Sequence, residues 1–357
     1  MMRALGSRKK DEKDEFKLLR ESHGIICVVT LGTTGLKAYS QYTQRLLTRL
    51  EKDVTIVVAG DKYAALGAGF ADNSVIEIYS GPVGLNRRFG WVCMQPHLDR
   101  ILERVEPAHL VILCSFLGGG VGSNAMLLAE EILRRSETKR VLVISGPPLT
   151  RWPIILENFA AALSDYRKLR EKFGDRIALI LLSPGAQLTS LKEVDLESKL
   201  RMLIGELLAT SIALSKFGKD PLNLHNLIAK NKSGISIATG ISISHEGDPK
   251  RAFETVAHTI GWMTRDATLL SLGVLKPVIN EDSSAIAMLI GPNYVSSTEA
   301  ESVMKTNLST LLVRLKPDLG GSRDLDSVAV DYWFFTDNQL QTVTAFVIIT
   351  SIGIEGI

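Results

Sequence analysis

The stretch FLGGGVGSNAM (116–126) decides how this chain is read. It places four glycines in five residues, between an apolar run, HLVILCS (109–115), and a segment with helical spacing, AMLLAEEILRR (125–135). A glycine turn that leaves a buried strand and opens a helix keeps backbone amide hydrogens free to point at an anion, and the helix N-terminus adds a favourable dipole. A phosphate is the natural occupant. A tight structural turn is the alternative.

Outward from this loop, short apolar runs alternate with longer amphipathic ones: GIICVVTL, VTIVVAG, VIEIYS, RVLVISG and RIALILLS read as strands. That rhythm predicts an α/β fold with a mostly parallel sheet and helices on both faces. The segment from Leu191 to Lys216 has helical spacing with Gly205 as its one break; as a helix it would run roughly 39 Å. After Gly218 the pattern changes. ISIATGISIS, AIAMLIG, SVAVDYWFF and TVTAFVIITSI read as strands with helices near 249–264 and 297–314, which predicts a second, smaller α/β unit.

The 357 residues are 45% hydrophobic and 22% charged, with a formal net charge of +2. That length supports one large core or two adjoining ones, and so small a net charge gives no global basic field for nucleic acid. The first 23 residues carry both signs of charge and lack the apolar core of a signal peptide, so they read as a solvated arm or short helix. No run of some eighteen uncharged apolar residues predicts a transmembrane segment. Cys27, Cys93 and Cys114 show no metal-ligand spacing, and no disulfide framework is expected, consistent with a cytoplasmic location.

Other site chemistries find little support. No lysine follows a glycine cluster as a P-loop requires, no H-E-x-x-H pair offers a metal site, and no G-x-S-x-G elbow offers a nucleophile. A dinucleotide fingerprint is nearer, because Gly120, Gly122 and Ala125 satisfy G-x-G-x-x-[GA]. That loop follows the fourth strand, however, and the next strand ends in ISG without a ribose-binding acid.

GGGVGSN (118–124) resembles the G-G-G-T-G-[ST]-G phosphate loop of the tubulin and FtsZ superfamily, with Val121 in place of threonine and Asn124 in place of the last glycine. LGTTGLKAY (31–39) sits where that family has its first glycine loop, and AGDKYAAL (59–66) resembles its N-T-D-x-x-A-L. GPVGLNRRFG (81–90) occupies the place of its third phosphate loop. The segment 231–260 resembles FtsZ's N-K-G, strand, G-x-G and R-A-x-x-A helix, and 342–352 its last strand. The resemblance spans about 24–352, and the order and spacing of the motifs are its specific part.

The resemblance implies a tubulin/FtsZ fold: an N-terminal arm (1–23), a Rossmann-like GTPase domain (24–190), a long central helix (191–217) and a smaller C-terminal α/β domain (218–357). It implies GTP or GDP as ligand, with magnesium. The nucleotide contacts would fall on Gly32, Thr33, Thr34, Gly35, Asp61, Gly84, Arg87, Gly118, Gly119, Gly120, Val121, Gly122, Ser123, Asn124 and Glu157. It also implies head-to-tail self-association into filaments and a role in division or cell shape; membrane tethering through the N-terminal arm, tethering through an adaptor protein and no tethering all stay open.

The catalytic loop departs from the family. Ungapped counting from Gly234 puts the family's N-x-D-x-x-D motif on Asp220, Leu222 and His225, so both expected carboxylates are missing. Asp220 and His225 are the groups that could substitute; as a cap and a helix residue they would do nothing catalytic. Weak or absent GTP hydrolysis is therefore expected. A non-polymerising regulatory protein is the first alternative and a dinucleotide-dependent oxidoreductase the second.

Overall fold

The computed structural model describes residues 26–38, 54–60, 65–66, 75–79, 84–148, 150–183, 204–205, 207, 221–230, 233–244, 248, 250–256, 276–279, 283–291, 302, 330–336, 342–350 and 352–355. Among the described residues the first six strands are β1 (Ile26–Leu31), β2 (Val54–Gly60), β3 (Val75–Glu77), β4 (Leu110–Ser115), β5 (Arg140–Ser145) and β6 (Ile177–Leu182). Between them lie α1 (Gly32–Lys37), α2 (Arg87–Met94), α3 (Leu98–Val105), α4 (Ala125–Arg135) and α5 (Pro153–Phe173). After them come α6 (Pro221–Ala229), β7 (Ile235–Ser244), β8 (Lys276–Ile279), β9 (Ala285–Gly291), β10 (Val330–Thr336), β11 (Thr342–Thr350) and β12 (Ile352–Glu355).

Among the described residues ten strands join in one sheet, in the order β10-β9-β11-β7-β6-β5-β4-β1-β2-β3. Every pairing is parallel except those of β11, which runs against β7 and β9. The apolar runs are continuous because the strands are buried on both faces, as parallel crossovers demand. Val29, Val111, Leu113 and Val143 face a core shared with Ile101 of α3, Leu128 of α4 and Phe159 of α5. On the opposite face, α6 sends the buried Leu224 and Ile228 against β5 and β6.

The strands read after Gly218 join the sheet of the first six, since β6 pairs β7 with Leu179 opposite Ile235. A two-stranded sheet of β8 and β12 also forms from segments with no strong strand pattern. Of the long helix expected over 191–217, residues 204, 205 and 207 are described; they are helical, and Ile204 and Leu207 are buried. The N-terminal arm lies outside the described residues. No described helix is long and apolar enough to cross a membrane.

Long-range polar ties fix the helices to the strand ends. Lys139 is buried, and its ammonium donates to the carbonyls of Val105, Glu106 and Ala108 at the end of α3, so its three donors meet three acceptors. The hydroxyl of Tyr166 donates to the Gly234 carbonyl at 2.7 Å, bolting α5 to the start of β7. Gly234 sits at φ +60°, and a Cβ there would come within 2.5 Å of that hydroxyl.

Candidate phosphate-binding site at the β1/β4 switch point

The strand order reverses between β1 and β4, so the connections leaving these two neighbours diverge and leave a crevice at their carboxyl ends. The glycine loop fills the floor of that crevice. Within it the Gly119 amide donates to the Phe116 carbonyl at 2.9 Å, Ser123 to Gly119 at 3.1 Å and Asn124 to Val121 at 3.0 Å, and a 3₁₀ turn over Gly122–Asn124 leads into α4.

The four glycines serve different ends. A Cβ on Gly118 would meet Ile155 Cγ2 at 2.7 Å, on Gly120 the Gly84 carbonyl at 2.6 Å, and on Gly122 the Phe116 carbonyl at 2.3 Å. Backbone atoms bar a Cβ at Gly120 and Gly122, whereas at Gly118 the side chains of Ile155 and Phe116 would have to shift. Gly119 is partly exposed, and its Cβ would come no closer than 3.3 Å to described atoms. It lines the crevice, and of the four it is the one at which a Cβ would be least crowded. Among the described residues, the amides of Gly120, Val121 and Gly122 have no backbone acceptor outside regular helix and strand pairing.

The first loop closes onto the second. Gly32 opens α1 at φ +70°, and a Cβ there would lie 3.4 Å from that of Val121. Gly35 has no room for a side chain because the Cys114 carbonyl would lie 2.5 Å from it, so α1 rests directly on the end of β4. Thr33 is exposed and lines the crevice, and Thr34 continues α1. Gly84, at φ +63°, forms a further wall. Asp61 lies outside the described residues.

Several expected contacts turn away from the crevice. Arg87 forms an ion pair with Asp165 of α5, so its guanidinium ties α2 to α5. The buried Asn124 donates its amide to the carbonyls of Arg87 and Gly120, both at 2.9 Å, and Ser123 is wholly buried. Glu157 is exposed and does not line the crevice; its neighbour Asn158 points inward, donating to Leu85 at 2.8 Å and to Gly118 at 3.1 Å. Asn158 left no signal in the sequence. Gly90, read from sequence as the end of the third loop, lies within α2 and marks the place where that helix rests against Gly120.

The resulting pocket holds about 420 Å³, within the usual range of roughly 300–1,000 Å³ for small-molecule sites. Leu31, Tyr79, Leu85, Phe116, Trp152 and Ile155 wall it, and no lysine, arginine or carboxylate is among its described lining residues. An anion here would be held by backbone amides and the α4 dipole, with flat apolar surfaces beside it.

His225 lies elsewhere. It sits on α6, wholly buried, beside Arg140 and Arg176 at the amino ends of β5 and β6, the edge of the sheet opposite the glycine loop. Neither ring nitrogen has a well-formed hydrogen bond. Burial pulls its pKa down to about 4; the Arg140 charge adds to this, while Asn226 and the backbone at Arg176 and Val141 oppose it weakly. In the isolated chain this burial leaves the imidazole no solvent-exposed face. Asp220 lies outside the described residues.

No family model matches the sequence, and no curated protein matches it in sequence. Solved structures do. A point mutant of FtsZ from M. jannaschii superposes with a TM-score of 0.61 at 17% identity, covering 96% of each chain. CetZ2 from Haloferax volcanii, a GTPγS-bound protofilament, gives 0.63 at 15% identity over 92% of this chain and 93% of that one. A GTPγS-form protofilament of TubZ from Bacillus thuringiensis serovar israelensis gives 0.59 at 13%, over 92% and 89%. The chain has the tubulin/FtsZ fold.

Proposed function

We propose that this chain with the tubulin/FtsZ fold is an FtsZ-like nucleotide-binding protein, taking GTP or GDP at the β1/β4 crevice and assembling head to tail into filaments with weak or absent hydrolysis. The observation that carries the proposal is the meeting of two glycine-bearing loops, at Gly32 and at Gly118–Gly122, around a pocket lined by Gly32, Gly119, Gly120, Val121 and Gly122. The nucleotide would supply its phosphates to the backbone of these loops and to the N-terminus of α4. Thr33 would add a hydroxyl donor, and α2 would hold the loop rigid from outside. No described carboxylate lines the pocket, so magnesium would arrive with the phosphates.

Assembly is supported by likeness to chains solved as protofilaments over nearly their whole length. Heterologous contacts that do not close generate open filaments. On this reading the protein works in the cytoplasm, in division or cell shape, and reaches the membrane through an adaptor. The division at residues 190 and 217 into nucleotide domain, central helix and C-terminal domain belongs to the same proposal.

A non-polymerising binding protein is the second reading, favoured by the apolar wall and by the diversion of Arg87 to Asp165. Nucleotide released from the purified chain, followed by sedimentation with and without GTP, separates the two. Bound guanine nucleotide with GTP-dependent pelleting is expected. Binding without pelleting selects the second reading, and no binding at millimolar GTP removes both.

A further inference from the structure

The mouth of the pocket carries an indole that no contact described so far employs. Trp152 lines the pocket, yet it remains 64% exposed. Its backbone is held firmly. The Trp152 amide donates to Thr150 Oγ1 at 3.2 Å, and its carbonyl accepts from Ile155 at 3.0 Å and Leu156 at 3.2 Å. Pro153 fixes the first residue of α5, and Ile155 rests on Gly118. The indole is therefore attached at a fixed place relative to the glycine loop.

Tryptophan presents a large apolar face at low entropic cost, and leaving that face in water beside a pocket forfeits its contribution until something flat covers it. Phe116 and Tyr79 extend the same wall, and Thr33 is the one hydroxyl-bearing residue besides Tyr79 among the described lining. We propose that Trp152 is a ligand-contacting residue that stacks on the ring of a nucleotide whose phosphates sit on the glycine loop. The affinity Trp152 supplies then comes from the face of the ring, not its hydrogen-bonding edge, and is equal for different purines. This rests on the pocket being the nucleotide site.

Calorimetry on the full chain tests it, with GTP, ATP and tripolyphosphate as probes of wild type, Trp152→Ala and Trp152→Phe. Because the side chain is exposed, both variants should keep the wild-type thermal midpoint. Trp152→Ala should weaken GTP and ATP by the same factor, about ten- to a hundredfold as for other base-stacking aromatics. Trp152→Phe should recover most of this, and tripolyphosphate should be unaffected. Unchanged nucleotide affinity in Trp152→Ala overturns the inference, and so does an equal loss for tripolyphosphate, which would mark the indole as a prop for the loop. Altered pelleting at unaltered affinity also overturns it and assigns the exposed Trp152 to contact with a second copy. A wild type that binds none of the three probes removes the nucleotide site itself, a different failure.

Discussion

Gly90 of α2 lies directly on the backbone of Gly120: a Cβ added at Gly90 would stand 2.4 Å from the Gly120 carbonyl oxygen. Inside a helix, glycine to alanine ordinarily stabilises by up to about 1 kcal/mol. Here the sign should reverse. Gly90→Ala forces α2 off the glycine loop and should destabilise by about 1–3 kcal/mol, the usual scale of overpacking. Denaturant unfolding reads the stability, and calorimetry should show GTP binding lost with it, although Gly90 would touch no ligand.

The glycine loop should divide on substitution. Gly119→Ala meets only the Phe116 carbonyl, at 3.3 Å, so its unfolding midpoint should stay near wild type while GTP affinity drops. Gly122→Ala places a Cβ 2.3 Å from that same carbonyl and should lower the midpoint itself. Equal stability losses in the two variants would contradict the division between packing and ligand-facing glycines.

Asn158 and Glu157 offer a paired comparison. Asn158→Ala removes the donors that satisfy the carbonyls of Leu85 and Gly118, at an expected cost of about 1–3 kcal/mol. Glu157→Ala, on the exposed face of the same helix, should stay within about 0.5 kcal/mol of wild type. Thermal unfolding of both variants checks the pair, and a costly Glu157→Ala would return that residue to the site.

Much of the first sheet was legible because strands buried on both faces must be apolar throughout, as ICVVTL, LVILCS and IALILL are. The loop was legible because glycines stand out between a strand and a helix. What remained hidden depends on partners distant in sequence. Arg87 and Asp165 are 78 residues apart and Asn158 and Leu85 are 73 apart, so neither pairing leaves a local pattern. Arg87 looked like a phosphate ligand because a cation beside a glycine loop is ambiguous until its counter-ion is placed. The joining of β6 to β7 was equally invisible, since a parallel pairing across so long a connection is set by tertiary packing, not by a turn.

His225 should make stability depend on pH. Its folded pKa of about 4 lies below the ordinary 6.5, so the unfolded chain binds the proton more readily. The contribution is then complete above about pH 6.5 and is lost as pH falls through about 4. A shift of that size corresponds to at most about 3–4 kcal/mol. Urea unfolding between pH 7 and pH 4 should show the decline, and His225→Leu should flatten the part of the slope that carboxylates do not supply.

The last prediction joins the two ends of the sheet. The glycine loop leaves the carboxyl end of β4, whereas α6 carries His225 to the amino ends of β5 and β6, about 20 Å away along six-residue strands. In a head-to-tail filament the second edge would face the neighbour's nucleotide, so binding and hydrolysis would depend on different edges and could be lost separately. Leu222 stands where the resemblance places a carboxylate. Without that acceptor, transition-state stabilisation should fall by about 3–4 kcal/mol, a rate decrease of roughly two to three powers of ten. Phosphate release above the assembly concentration should therefore be slow, and filaments should persist after GTP is consumed only slowly. Leu222→Asp should raise the rate. His225→Leu should leave it unchanged per folded molecule, because an enclosed imidazole that stays neutral down to about pH 4 has no access to the attacking water. A rapid wild-type rate that His225→Leu abolishes would require that histidine to leave its buried position in the filament.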